Sequence, residues 1–201
     1  MEFADAPRVI RFGRWLFRHR SFKCIFLLPV LTFYGELENC WYMWPAGIAL
    51  LILGGGLRLW SIGFIGRSAR TRKDKAKKLI TSGPFALCRN PIYLGNVVAT
   101  CGFVVLSEVL WYVPAFLLLS FAFYEPVVRY EEYLLKQKYP RAFEQYASTT
   151  PRWFPAPNPS ALAKPFHGLK EILYREKSFF RTVTAGLLVI LAEEGISHFY
   201  F

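Results

Sequence analysis

The sequence predicts an all-α membrane protein, a polytopic bundle of about five transmembrane helices with a helical cytoplasmic segment toward its C-terminal end. The composition is the first reason, because 54% of the 201 residues are hydrophobic and only 19% are charged, which departs from soluble domains. The second reason is that the apolar residues gather in long runs, as a bilayer requires of the helices that cross it. We expect one integral membrane domain over residues 1–201.

The apolar runs define the predicted spans in order. They cover residues 24–35, 44–66, the two halves of 92–128, and 179–190. The second run is the clearest, because it has full spanning length. The stretch 92–128 is too long for one span, and Ser107 and Glu108 interrupt it, so we expect a tight helical hairpin there. The last run predicts an additional membrane helix within a C-terminal extension, residues 160–201.

The basic residues predict the orientation of these helices. The N-terminal arm before the first run and the loop of residues 67–78 after the second run are rich in arginine and lysine, and basic connections stay on the cytoplasmic side. The connections ELENC and SEV contain neither lysine nor arginine and belong outside. We therefore expect a multi-pass protein whose N-terminus is cytoplasmic and whose C-terminus is outside.

The formal net charge of +11 raises the question of which acidic partner the protein meets. The basic residues cluster beside apolar runs instead of lining a long polar face, so we expect anionic membrane lipids as partners and no nucleic acid. The four cysteines and three histidines lack the spacing of metal ligands, and no metal site is expected.

The segment SGPFALCRNPIYLGN, residues 82–96, lies at the mouth of the predicted hairpin. Its two prolines and two glycines fix the path of the backbone, so the polar side chains along it are held in place. The other end of the hairpin carries Glu131 and Glu132. A short hairpin brings both ends to the same cytoplasmic edge, where we expect their polar groups to converge. The simpler alternative for these charges is an intrahelical pairing of Arg129 with Glu125 and Glu132.

Several separated blocks of the chain resemble the isoprenylcysteine carboxyl methyltransferase and phospholipid methyltransferase family of integral membrane methyltransferases. The family pattern of Arg-His-Pro-x-Tyr-x-Gly, a hydrophobic hairpin and Glu-Glu is matched by RNPIYLG at residues 89–95 and by Glu131 and Glu132. The stretches GLRLWSIGFIG and EEYLLKQKYPRAFEQYASTTPRWFP are similar to further family blocks. The resemblance covers residues 56–155, the methyltransferase core, and several blocks in order are more specific than one motif.

The resemblance implies an S-adenosylmethionine-dependent methyltransferase that acts at the cytoplasmic membrane face on a lipid or prenylated acceptor taken from the bilayer. Methyl transfer from a sulfonium is an in-line displacement, so the protein has mainly to align donor and acceptor and to exclude water. Glu132 and Arg89 are the expected catalytic residues. The expected cofactor-binding residues are Gly83, Pro84, Arg89, Asn90, Tyr93, Gly95, Glu131, Glu132, Tyr146 and Arg152.

The chain departs from the family pattern where Asn90 replaces the usual histidine and Pro140 a common glycine. An amide does not titrate, so a general base would be Glu132, Glu131 or the anionic form of the acceptor itself. The alternative functions are an NADPH-dependent membrane sterol or lipid reductase, whose C-terminal half resembles this family, and a noncatalytic membrane protein. Arg58, near the end of the second run, is expected to snorkel to the interface rather than to bind a ligand.

Overall fold

The computed structural model describes residues 6–19, 42–65, 78–162 and 168–200. Every regular element within these residues is helical, which confirms the predicted all-α class. In chain order the elements are α1 (Arg8–Arg18), α2 (Met43–Ile65), α3 (Pro84–Leu87), α4 (Pro91–Leu106), α5 (Tyr112–Lys138), α6 (Pro140–Thr149), a 3-10 turn (Pro159–Leu162), α7 (Leu169–Arg175) and α8 (Lys177–Tyr200). The helices predicted for the second to the fifth span all form.

Within the described residues, α2 is the one helix that is long and apolar enough to cross a membrane. It has 23 residues and a mean hydropathy of 1.9 in its most apolar stretch, as expected of the second predicted span. The α4 helix is apolar but shorter. The first predicted span and nearly all of the basic loop lie in residues 20–41 and 66–77, outside the described residues. Five spans and a cytoplasmic N-terminus therefore stay predictions.

The predicted hairpin forms, and its turn lies where the sequence indicates. The α4 helix ends at Leu106 and α5 begins at Tyr112. Between them Glu108 adopts the left-handed backbone conformation, with a φ of 59°, which residues other than glycine adopt mainly in tight turns. Val104 and Val109 are fully buried in the small core beside this turn. The turn therefore reverses the chain between the two helices.

Glycines set the distance between α2 and α4. A Cβ atom on Gly95 would lie 2.7 Å from the carbonyl oxygen of Gly54, and one on Gly54 would collide with the backbone of Ala99. A side chain at either position would force the two helices apart, since close approach of helix backbones needs small residues. This contact fixes the N-terminal end of α4 relative to α2.

One helix, α5, carries both the last apolar part of the hairpin and the charged residues beyond it. The large apolar side chains that its first half exposes are Leu117, Leu118, Leu119 and Phe121. The helical segment predicted from residue 129 begins inside α5, which continues without a break for 27 residues. After α5 ends at Lys138, the predicted helical segment continues as α6. Pro140 occupies the first turn of α6, a position that suits its fixed φ and missing amide hydrogen.

Arg58 does not snorkel to the interface, so that expectation is wrong. Its side chain is 18% exposed and turns inward, where Nη2 lies 2.8 Å from Oε2 of Glu176 and Nη1 donates to Oδ1 of Asn96 at 2.6 Å. The guanidinium also lies over the ring of Phe179. A buried guanidinium is stable only when acceptors satisfy its donors. Arg58 therefore joins α2 and α4 to the C-terminal extension.

We expect Glu176→Gln to lower thermal stability markedly, because it leaves the charge of Arg58 uncompensated in a buried place. Removing one partner of a buried ion pair costs about 3 kcal/mol, roughly 6–12 °C in the unfolding midpoint of a chain of this size. The matched control is Glu144→Gln, which breaks an exposed pair with Lys136 and should shift the midpoint by about 2 °C or less. Thermal unfolding in detergent measures both, and equal shifts would contradict this role of Arg58.

Candidate functional site

Two segments that are distant in the sequence run side by side at the open end of the hairpin. Residues 83–89 and 151–160 are joined by three backbone hydrogen bonds. These bonds run from Gly83 N to Ser160 O, from Ala156 N to Leu87 O and from Arg89 N to Pro151 O, each 2.9 Å long. The predicted turn before α4 is therefore held by the proline-rich segment that follows α6.

Gly83 and Pro84 give the first segment its shape. Gly83 has a φ of 64°, and a Cβ atom there would collide with the ring of Phe64, so glycine is required. Pro84 occupies the first turn of α3 and is almost fully buried, where its lack of an amide hydrogen leaves no donor unsatisfied. Both residues, expected at the cofactor, shape the backbone that presents Arg89.

Arg89 links the start of α4 to α5 and α6. Its Nε donates to Oε1 of Glu132 at 2.9 Å, and its Nη1 donates to the carbonyl oxygens of Thr150 at 2.7 Å and Ala147 at 3.1 Å. The side chain is 12% exposed. Carbonyl groups at the C-terminal end of a helix lack intrahelical donors and carry partial negative charge. The guanidinium is therefore well placed at the end of α6.

Glu132 lies between two guanidinium groups. Besides Arg89 it binds Arg152, whose Nη2 donates to Oε2 at 2.8 Å and whose Nε donates to Oε1 at 3.2 Å. The hydrogen bonds to Glu132 raise the pKa of Arg152 above its ordinary value, so this guanidinium stays charged. The intrahelical alternative holds only for Glu125, whose Oε1 lies 2.7 Å from Nε of Arg129.

Glu125 extends the network toward Trp153, and neither residue is among the predicted site residues. Nη1 of Arg152 and Nε1 of Trp153 each donate to Glu125, at 2.8 Å. The sequence carries a signal for Glu125, because a carboxylate in an apolar helix needs a partner. The contact of Trp153 with Glu125 could not be predicted, because it depends on the path of the chain after α6.

Tyr93, Glu131 and Asn90 lie beside the ion network. The hydroxyl of Tyr93 donates to Oε2 of Glu131 at 3.1 Å, and its ring packs against Tyr124 with centroids 4.8 Å apart. The buried amide of Asn90 donates from Nδ2 to the carbonyl oxygen of Arg152 at 3.2 Å. Asn90 thus contributes a neutral hydrogen bond that holds the second segment against the first.

Two of the predicted cofactor residues lie at the margin of this network. The hydroxyl of Tyr146 donates to the carbonyl oxygen of Phe85 at 2.6 Å, and burial raises the pKa of this phenol, which keeps the donor protonated. Its observed contact is therefore with the turn before α4. Gly95 faces α2 across the close contact with Gly54, so its observed role is in helix packing.

The charged side chains of the site, the network and Glu131 beside it, are equal in number of cations and anions, and this balance bears on which ligands suit the site. The cations are Arg89, Arg129 and Arg152, and the anions are Glu125 and Glu132 of the network together with Glu131 beside it. Equal numbers of both charges mean that a zwitterion, with one carboxylate and one ammonium, brings no excess charge into a half-buried place. The arrangement therefore offers guanidinium donors and carboxylate acceptors together, as an amino-acid group requires.

Comparison with known proteins gives these residues a context. The profile of the phospholipid methyltransferase family matches residues 43–142. The protein-S-isoprenylcysteine O-methyltransferase B of Arabidopsis thaliana is 30% identical over 136 residues, which are 64% of this chain and 67% of that protein. No solved structure matches the chain with significance. The region that the family profile matches includes α2, the turn before α4, the hairpin and the start of α6.

Two other relatives are metal-resistance proteins by name. The nickel-cobalt-cadmium resistance protein NccN of Alcaligenes xylosoxydans xylosoxydans is 31% identical over 147 residues, and the cobalt-zinc-cadmium resistance protein CzcN of Cupriavidus metallidurans is 35% identical over 142 residues. The matches cover 72% and 70% of this chain but 64% and 56% of those proteins, less than two thirds of their length. In the part of this chain that the structure describes, no group of three or more histidine, cysteine, aspartate or glutamate side chains is placed to hold a metal ion.

Proposed function

Because the chain belongs to the isoprenylcysteine carboxyl methyltransferase and phospholipid methyltransferase family of integral membrane methyltransferases, we propose that it transfers a methyl group from S-adenosylmethionine to a lipid or prenylated acceptor at the cytoplasmic membrane face. The observation that carries this proposal is the meeting of two family blocks across the hairpin. Arg89 binds Glu132, 43 residues away, and Tyr93 binds Glu131, 38 residues away.

The amino-acid end of S-adenosylmethionine fits the donors and acceptors of the network. Arg89 and Asn90 are the candidates for its carboxylate, and Glu131 and Glu132 are the candidates for its ammonium. Arg89 and Glu132 pair with each other, Asn90 donates to the carbonyl oxygen of Arg152, and Glu131 accepts from Tyr93. The cofactor would therefore exchange partners with these side chains rather than introduce an unpaired charge. The ring of Tyr93 suits the sulfonium, since an aromatic face stabilises a cation.

The bound cofactor supplies an electrophilic methyl group, and the residues of the chain align the acceptor and keep water away. Residues 151–160 close one side of the site through their hydrogen bonds to residues 83–89. Asn90 cannot accept a proton, so an acceptor that is already anionic suits the site best. The carboxylate of a prenylated cysteine is such an acceptor, and the Arabidopsis relative is named for that class. For an acceptor that carries a proton, Glu131 or Glu132 would be the base.

We infer that the protein spans the membrane several times with a cytoplasmic N-terminus. Apolar side chains that a soluble fold would bury support this, since Leu53 of α2 is 65% exposed, Leu118 of α5 is 70% exposed and Leu188 of α8 is 61% exposed. Such surfaces suit contact with lipid, and the basic connections set the orientation. The acceptor would then reach the site from the bilayer, and the cofactor would reach it from the aqueous side.

The reductase alternative is less well supported. The Arabidopsis relative is named as a methyltransferase. The network and Glu131 beside it together have equal numbers of cations and anions, whereas the pyrophosphate of a nicotinamide dinucleotide calls for surplus donors. The balance of charge therefore favours a zwitterionic cofactor over a polyanionic one.

Calorimetry on the detergent-purified chain tests the cofactor, and we expect binding of S-adenosylmethionine but not of NADPH. Glu132→Gln should weaken the affinity about 10- to 100-fold, because it removes a charge-assisted hydrogen bond. The matched control is Glu125→Gln, because the side chain of Glu125 is 14% exposed and that of Glu132 is 13% exposed. Glu125→Gln should lower stability but weaken the affinity for S-adenosylmethionine less than Glu132→Gln does. Binding of NADPH, or an unchanged affinity in Glu132→Gln, would contradict the proposal.

Acceptors that share one head group but differ in chain length test access from the bilayer. Each buried methylene adds about 0.8 kcal/mol to partitioning, so short-chain acceptors should show a raised apparent KM with little change in kcat. Methyl transfer to a series of prenylcysteine analogues in liposomes measures this dependence. If a water-soluble head group reacted as efficiently as its lipidated form, the acceptor would come from water instead.

A further inference from the structure

The first helix, α1, has two different faces. The inner face consists of Ile10, Gly13, Leu16 and Phe17, all of them buried. It packs on α5 in a cluster that includes Phe123, Val127 and Tyr130. The outer face exposes Val9, Phe12 and Trp15, at 45%, 51% and 50%. The rings of Phe12 and Trp15 stack with centroids 6.1 Å apart, so they form one aromatic patch.

The outer face of α1 is also strongly basic. Arg8, Arg11 and Arg18 are exposed around the aromatic patch, and α1 contains no acidic residue. Arginines interleaved with tryptophan and phenylalanine are typical of helices that lie in the headgroup region of an anionic membrane. A partner complementary to this face needs an acidic surface with an apolar layer beneath it.

The α1 helix lies at the level where α5 changes from apolar to charged. Just before the contact α5 exposes Leu118 and Phe121, and within it Glu125 begins the charged part of the helix. Gly13 fixes this level, since a Cβ atom there would collide with the carbonyl oxygen of Pro126. In a helix that leaves a bilayer, such a change marks the headgroup region. The level of α1 therefore favours lipid over an acidic protein or a nucleic acid.

We propose that the outer face of α1, formed by Arg8, Arg11, Phe12 and Trp15, docks on anionic lipid headgroups. The proposal rests on the membrane location proposed above and assigns one helix to the lipid contact. The arginines bind phosphate groups, and the two rings lie at the boundary between headgroups and acyl chains. Because the inner face of α1 packs on Tyr130 and its cluster, docking would also hold α5 in place at the ion network.

Vesicles of phosphatidylcholine, with or without phosphatidylglycerol, test the proposal on the full reconstituted chain. Lipids brominated close to the headgroup quench a tryptophan that lies among them. The quenching of Trp15 is obtained by subtracting the fluorescence quenching of the Trp15→Phe variant, which keeps an aromatic ring, from that of the unmodified protein. We expect stronger quenching of Trp15 when phosphatidylglycerol is present. Arg8→Gln combined with Arg11→Gln should remove that increase, because each arginine favours the docked state about five-fold at an anionic surface.

The matched control is Lys138→Gln combined with Arg141→Gln, which removes the same charge from exposed positions and should leave the Trp15 signal unchanged. Equal quenching with and without phosphatidylglycerol, or an equal effect of the control pair, would overturn the proposal. A Trp15 that neither brominated lipid nor aqueous iodide can reach would also overturn it, because a protein would then cover this face. None of these readouts needs methyl transfer. An inactive protein whose Trp15 still responds to phosphatidylglycerol would contradict the proposed function and support the docking surface.

Discussion

The pairing of Glu132 with two arginines is the interaction on which the rest of the site depends. Arg89 approaches from the turn before α4 and Arg152 from the segment after α6, so one carboxylate on α5 fastens three parts of the chain. Glu132 and Arg89 are only 13% and 12% exposed, and removing one partner of such a pair would cost about 3–5 kcal/mol. The three parts therefore have to come together for any of these charges to be stable.

Backbone packing explains why the charges can meet. The close contact of Gly54 with Gly95 sets the position of α4, and the contact of Gly13 with Pro126 sets the position of α1 on α5. The positive φ of Gly83 then directs the chain into the turn that carries the arginine. A rigid frame of this kind holds a set of polar groups that can exchange partners with a ligand without being rebuilt.

The helices and their approach to one another could be predicted from the sequence, because apolar runs and charge distribution are local signals. The break at Ser107 and Glu108 follows from them, and so does the convergence of the two ends of the hairpin. The role of Arg58 could not be predicted, since its partner Glu176 lies 118 residues later and only tertiary packing brings them together. Gly95 belongs to a pattern that predicts cofactor contact, yet its backbone is where two helices touch.

A double-mutant cycle on Arg89 and Glu132 tests the central claim most directly. Arg89→Gln, Glu132→Gln and the double variant would be compared in their free energy of unfolding and in their affinity for S-adenosylmethionine. If the two side chains act as one unit, the second substitution should cost about 2 kcal/mol less in stability than it costs alone, and this difference is the coupling energy. Losses that add to within about 0.5 kcal/mol would contradict the account, because each residue would then act independently of the other.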